Sequence, residues 1–309
     1  GNTLSQHIAI NCSSEWIFQR YEDVRSRLPK AEFPRAPRYM DSLAQLSAQF
    51  DVFLFDSFGV LNVGEQPIAG ARERLDELRQ CGKRIAVLTN AATGPLAGLV
   101  KKYQRLGFDF ARHEIISSRE LLAKAIVEFD PAMTWGIAAP PASEIDEFGL
   151  KAVLLDAGDG SVDRVDGFIL LSSQAWSRQL QTCLERALCA RPRPLLVGNP
   201  DLAAPREVGF SVEPGTYAHA IAERCNIEPT FFGKPFANAF EEAVARFGEG
   251  VPRARIAMIG DTLHTDILGG AAAGLATILV TDNGVLRDLD LQQCLDASGI
   301  VPNYIVPHI

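Results

Sequence analysis

The sequence predicts an α/β protein: a doubly wound parallel sheet interrupted by a smaller inserted α/β domain. Three observations lead there. From residue 51 onward, short and wholly apolar runs alternate with stretches of helical period, the pattern of strands buried on both faces and joined by crossover helices. The alternation becomes short and irregular between about residues 132 and 228, then resumes. Polar residues able to do chemistry stand where the predicted core strands end, the edge at which open α/β sheets collect functional groups.

Element by element, residues 1–50 read as a helical extension, with helices over 14–28 and 39–49 separated by the proline-bearing run 29–37. Residues 52–55 (VFLF) form the first buried strand. A helix follows over 69–79, where Ala71, Leu75 and Leu78 share a face before Gly82 ends it. Residues 85–88 form the second strand, 95–106 a helix, 114–116 a strand and 119–129 a helix. Within 132–228 the expected strands are 134–138, 152–155, 167–171 and 195–197, with a helix at 174–188. The core, expected to comprise 51–131 and 229–309, then resumes with a helix at 237–247, a strand at 255–259, a helix at 265–273 and a strand at 276–280.

Composition narrows the function classes. At 309 residues with 47% hydrophobic and 22% charged residues, the chain can bury one large or two medium cores. A net charge of −8, with no Lys/Arg-rich block, argues against nucleic acid as a partner. No apolar run reaches a membrane span and no charged-then-apolar leader pattern opens the chain, so a cytoplasmic protein with no membrane partner is expected. The six cysteines (Cys12, Cys81, Cys183, Cys189, Cys225 and Cys294) form no CxxC pair, which predicts free thiols. Trp16, Trp135 and Trp176 read as packing residues. His7, His113, His219 and His308 lack partners at metal-ligand spacing.

The strand ends carry a coherent set. FLFD ends at Asp56 and runs into Ser57, Phe58 and Gly59; LTN ends the second strand at Thr89 and Asn90. Gly233, Lys234 and Pro235 open a helix, and Ile259, Gly260, Asp261 and Thr262 lead to Asp266. A carboxylate can attack phosphorus if the approaching negative charges are neutralised. A hard divalent ion such as Mg²⁺, held by Asp56 and Asp261 with Asp266 behind them, supplies that neutralisation. The Thr89 hydroxyl and Lys234 ammonium would hold the remaining phosphoryl oxygens. His264, between Asp261 and Asp266, has a side chain suited to proton transfer, although a solvent-exposed place at a helix start is the better account of it.

Taken in order, FDSFGVL, LTN, GKP and IGDTLHTD resemble the four motifs of the haloacid dehalogenase superfamily. The resemblance spans residues 51–284 and implies a Rossmann-like core and an aspartyl-phosphate chemistry. The long interval from Thr89 to Lys234 must hold a cap, which resembles the class IIA branch of pyridoxal and p-nitrophenyl phosphatases. That branch implies a small phosphorylated metabolite as substrate and a homodimer formed through the caps. Asn199, Pro200 and Asp201 resemble an Asn-Pro-Asp element that faces the active site in such caps, but the same residues also make an ordinary turn. Ser57, Asn90, Asn199 and Asp201 are thus the candidate substrate contacts.

One residue departs from the pattern. Phosphatases of the superfamily carry a second Asp two residues after the nucleophile, which protonates the leaving alcohol; here it is Phe58. The family binds magnesium at this position through the backbone carbonyl, so Phe58 stays a candidate metal ligand beside Asp56, Asp261 and Asp266. General acid-base assistance is worth about 10² to 10⁴ in rate, so slow turnover is expected. Two other readings stay open: a degenerate member that binds a phosphorylated ligand or acts as a regulator, and a dehalogenase-like hydrolase, since dehalogenases carry an aromatic residue there.

Overall fold

The structure, a computed structural model, describes residues 12–309. His7 and the first eleven residues of the expected extension lie outside them. Seven parallel strands form the larger sheet, in the order Arg38–Tyr39, Tyr304–Val306, Ala276–Val280, Ile256–Gly260, Val52–Phe55, Arg84–Thr89, Ile115–Ser117. A second parallel sheet of five strands runs Thr230–Phe231, Leu195–Val197, Gly167–Leu170, Thr134–Ala138, Lys151–Leu154. This is the α/β architecture the sequence predicts, with an additional sheet beyond the core.

The strand Val52–Phe55 shows why a continuous apolar run suits this place. Alternate side chains point to opposite faces, so Phe53 and Phe55 join Ile85, Val87 and Ile259 in one core. Val52 and Leu54 join Ala86, Leu88 and Met258 in the other. All four are essentially excluded from water. The helix Ala71–Gln80 buries the expected Ala71, Leu75 and Leu78 against the first of these cores.

Several expectations need correcting. The helix foreseen over 39–49 is instead the edge strand Arg38–Tyr39, paired with Tyr304 and Ile305, followed by a 3₁₀ segment Leu43–Gln49. Leu43 and Leu46, its buried residues, stand three apart, which suits a three-residue turn. The helix foreseen over 14–28 stops at Asp23 and passes through a short 3₁₀ turn, because Leu28 precedes Pro29 and is driven into extended backbone. The helix foreseen over 265–273 begins as a π-helical turn, Leu263–Ile267, and becomes α-helical only at Leu268–Ala272.

The cysteines are not all free. Cys189 and Cys225 form a disulfide with their Cα atoms 4.6 Å apart; Cys12, Cys81, Cys183 and Cys294 remain thiols. Cys189 lies near the end of the helix Arg178–Ala190 and Cys225 ends the helix Pro214–Cys225. These helices pack on one another, so a pair 36 positions apart in the chain becomes adjacent in space. Trp135 and Trp176 are fully buried packing residues, as expected. Among the described residues, no helix is long and apolar enough to cross a membrane.

The N-terminal helix Ser14–Asp23, capped by the Ser13 side chain, lies against both layers. Its Ile17 and Tyr21 share an apolar cluster with Leu202, from the segment after the second sheet, and with Leu263 and Ile267 of the π turn. The Tyr21 hydroxyl accepts a hydrogen bond from the Leu202 amide at 3.2 Å, and Arg20 pairs with Glu223 at 2.9 Å.

Candidate active site

Strand ends of the larger sheet deliver Asp56, Thr89 and Asp261, and the segment after Thr230–Phe231 of the second sheet delivers Lys234. Asp56 stands directly after its strand, and its Oδ1 accepts hydrogen bonds from the Ser57 amide at 2.8 Å and the Lys234 Nζ at 2.9 Å. Lys234 also donates to Asp266 Oδ1 at 2.8 Å. Asp266 Oδ2 takes the Thr262 amide at 3.1 Å, while Asp261 is fixed by the Thr262 hydroxyl at 2.9 Å and the Val285 amide at 3.0 Å. Each carboxylate is therefore held by donors from its own loop or a neighbouring one.

Two glycines make the approach possible. Gly59 turns the chain after the nucleophile with φ +86°, and a Cβ there would lie 2.5 Å from Asp261 Oδ2. At Gly260 a Cβ would fall 2.1 Å from Asp266 Oδ2. Neither position tolerates any other side chain without moving an acid.

Oxygens of Asp56, Asp261 and Asp266 lie within 4.8 Å of one another. Burial, followed by the charge of Asp56, holds the carboxyls of Asp261 and Asp266 well above the usual carboxylate range. Burial alone would pull Lys234 down, but Asp266, Asp56 and Asp201 outweigh it and keep the ammonium charged. Three acids around one ammonium resist ionising together without further positive charge, and an all-oxygen donor set of this kind fits a hard divalent cation.

A cavity of about 310 Å³ opens over this cluster, lined by Asp56, Phe58, Thr89, Asn90, Lys234 and Asp261 among others. Asn199 and Asp201 reach it from the second layer, so the structure brings these predicted residues together. Several of their side chains already have partners within the protein. Asn90 is clamped rather than free: its Nδ2 donates to Asp201 Oδ1 at 2.8 Å and the Lys234 carbonyl at 2.9 Å, and its Oδ1 accepts the Lys234 amide at 2.9 Å. Asn199 makes the turn, its Oδ1 accepting the Asp201 amide at 3.0 Å and its Nδ2 donating to Glu213 at 3.3 Å. The Ser57 hydroxyl donates to Asn62 Oδ1 at 2.7 Å within its own loop and does not line the cavity.

His264 is neither solvent-exposed nor in the cavity. Its Nε2 lies 2.7 Å from Glu22 and its ring stacks on Tyr21 at 4.9 Å, with burial drawing its pKa down. Sequence reading missed Thr262, Thr265, Lys102 and Arg206, all of which line the cavity. The two threonines flank the predicted Asp261 and Asp266, and a polar residue in that loop is the signal that could have found them.

Burial raises the Asp201 carboxyl to about 7, Lys234 opposing and Asp56 adding to the shift. The folded chain thus binds a proton there that the unfolded chain, near its ordinary value of about 4, does not. Stability falls as pH rises from that lower value through the folded one. Asp201→Asn keeps an acceptor for Asn90. It is expected to raise the unfolding temperature at about pH 8 and leave it unchanged at about pH 4, as read by scanning calorimetry.

Comparison with known proteins agrees with this geometry. Residues 53–151 match the model of the haloacid dehalogenase-like hydrolases, and residues 231–309 that of the HAD-hydrolase-like family. Glycerol-3-phosphate phosphatase of Gallus gallus is 31% identical over 288 residues, covering 85% of this chain and 90% of that protein. A possible sugar phosphatase of the HAD superfamily from Cytophaga hutchinsonii superposes with a TM-score of 0.78 at 26% identity, covering 88% of this chain and 98% of that one. Glycerol phosphate phosphatase from Mycobacterium tuberculosis, solved in complex with magnesium, gives a TM-score of 0.67 at 26% identity over 85% of this chain and 76% of that one. The chain belongs to the haloacid dehalogenase-like hydrolases. The relative and the two structures just described are phosphatases by name, and within the superfamily this chain is a phosphatase of the class IIA branch.

Proposed function

We propose that this protein hydrolyses phosphate monoesters of small metabolites through a covalent phosphoryl-Asp56 intermediate, with Mg²⁺ as cofactor and the second sheet acting as a cap. The carrying observation is the placement of Asp56 at the base of the cavity, held by Lys234 and within reach of two further carboxylates. A relative acting on glycerol 3-phosphate and a neighbour that binds magnesium support the reading.

Asp56, Asp261 and Asp266 would hold the ion, which when bound lowers the charge barrier between the carboxylate and the phosphate. The Asp56 carboxylate attacks phosphorus as the ester P–O bond breaks, so the alkoxide departs and the phosphoryl group rests on Asp56. Lys234 and the Thr89 hydroxyl bind the equatorial oxygens. Water then attacks the acyl phosphate, releasing inorganic phosphate and restoring the carboxylate. The ring of Phe58 has no proton to give the leaving oxygen, so that proton comes from solvent and turnover is slow.

A direct test is phosphate release from glycerol 3-phosphate and related small esters, with Mg²⁺ and after chelation. Release that survives removal of the metal would contradict the proposal. Dehalogenation, which the aromatic Phe58 recommends, would use Asp56 but needs no metal and so gives the buried Asp261 and Asp266 no ion to hold.

Phe58→Asp returns an acid to the leaving-group side. It is expected to raise kcat for unactivated esters by about 10- to 100-fold. An unchanged kcat would place the limiting step outside leaving-group protonation.

A further inference from the structure

Two cations from different layers converge on the ring of Phe58. Lys102 Nζ lies 4.3 Å from the ring centroid and the Arg206 guanidinium carbon 4.8 Å from it. Lys102 belongs to the helix Leu96–Arg105 beside the larger sheet. Arg206 follows the strand Ala203–Pro205 of the hairpin that leads away from Asp201. Both line the cavity that holds Asp56.

Their partners are unequal. Arg206 is tethered by its Nε to the Ser211 hydroxyl at 2.8 Å and by Nη2 to Glu213 at 3.3 Å. Glu213 also accepts from Ser211 and Asn199, so its oxygens are already occupied. The Lys102 ammonium makes no hydrogen bond or ion pair among the described residues; its contact is the Phe58 ring. A partly buried ammonium beside a guanidinium, without a counter-ion, is a cost that a ligand's negative charge removes.

We infer that Lys102 and Arg206 form a second anion subsite, and that the substrate is a phosphate monoester whose alcohol carries another anionic group, a carboxylate or a second phosphate. This rests on the phosphatase reading and adds its substrate class. The phosphoryl group sits at Asp56 and Lys234. The carbon chain crosses the ring of Phe58, and the second anion is received by the two cations. An aromatic residue here then serves as an apolar floor between two charged ends. The guanidinium is pre-oriented by Ser211 and Glu213, while the flexible lysine adapts to the length of the chain.

Two matched pairs of esters test this by calorimetric titration of Asp56→Asn protein with Mg²⁺ at fixed ionic strength. Glycerol 3-phosphate and 3-phosphoglycerate differ by a terminal hydroxymethyl against a carboxylate. Glucose 6-phosphate and glucose 1,6-bisphosphate differ by a second phosphate. In at least one pair, the member that carries the second anionic group is expected to bind about tenfold tighter or more. That preference should collapse when Lys102→Met is added and return largely with Lys102→Arg. A gain in the first pair assigns a carboxylate, a gain in the second a phosphate, and a gain in neither overturns the subsite.

Steady-state turnover by the otherwise wild-type chain separates this from the underlying reading. Phosphate release that Asp56→Asn does not diminish counts against the phosphatase, whatever the affinities. If Lys102→Met lowers kcat equally for both members of a pair and shifts the alkaline limb of the pH profile, the lysine serves the leaving oxygen common to both, and the subsite is refuted.

Discussion

Asp56→Asn is expected to reduce phosphate release by about 10³-fold or more while leaving the fold intact. The amide keeps the shape of the carboxylate and an oxygen for Lys234 and the Ser57 amide, which both bond Oδ1. It cannot form the acyl phosphate. Removing one negative charge from a cluster of three also relieves repulsion with Asp261 and Asp266, so the unfolding temperature should not drop. Steady-state phosphate release with a thermal melt of the same preparation checks both halves. Wild-type-like turnover in the amide variant would remove Asp56 from the chemistry.

Lys234→Met should cost stability as well as rate. The ammonium is 2% exposed and bridges Asp56 and Asp266, the latter fully excluded from water. Methionine fills similar space but leaves Asp266 buried without its cation. Breaking one side of a buried pair typically costs about 3–5 kcal/mol. Urea unfolding should show that loss near neutral pH in the absence of metal. A change below about 1 kcal/mol, within the range of exposed ion pairs, would mean that the carboxylates do not depend on this lysine.

The elements legible in the sequence were those whose environment is uniform. Val52–Phe55 is apolar throughout and Thr134–Ala138 and Ala276–Val280 are mostly so because both faces are covered, and Ala237–Phe247 turns one apolar stripe to the core. The short edge strand Arg38–Tyr39 and its neighbour Tyr304–Val306 exist by pairing with each other and, for the latter, with Ala276–Val280, and partner identity leaves no local period. The hairpin that carries Arg206 is similarly too short to announce itself. The acids and Lys234 stood out because their chemistry coincides with strand ends.

Lys102 did not stand out. A lysine late in an amphipathic helix is ordinary, and only the tertiary fold shows that it faces Phe58. Asn90 was visible as a polar strand end, but its clamp on the Lys234 backbone and on Asp201 requires the loop after Thr230–Phe231 to be folded against it. The Cys189–Cys225 bridge is hidden for the same reason, since helix packing rather than sequence spacing sets it.

The helix Ser14–Asp23 belongs to neither sheet yet grips both. One of its turns holds Leu202 through Tyr21 and His264 through Glu22, while Arg20 reaches Glu223. A swing of the second sheet away from Asp56 must therefore strip this helix from one side or the other, exposing Ile17 and Tyr21 to water. If the second sheet serves as the proposed cap, resistance to its opening resides in a stretch of chain that contributes no atom to the chemistry, and loosening that grip would alter the tempo of product release without touching phosphorus.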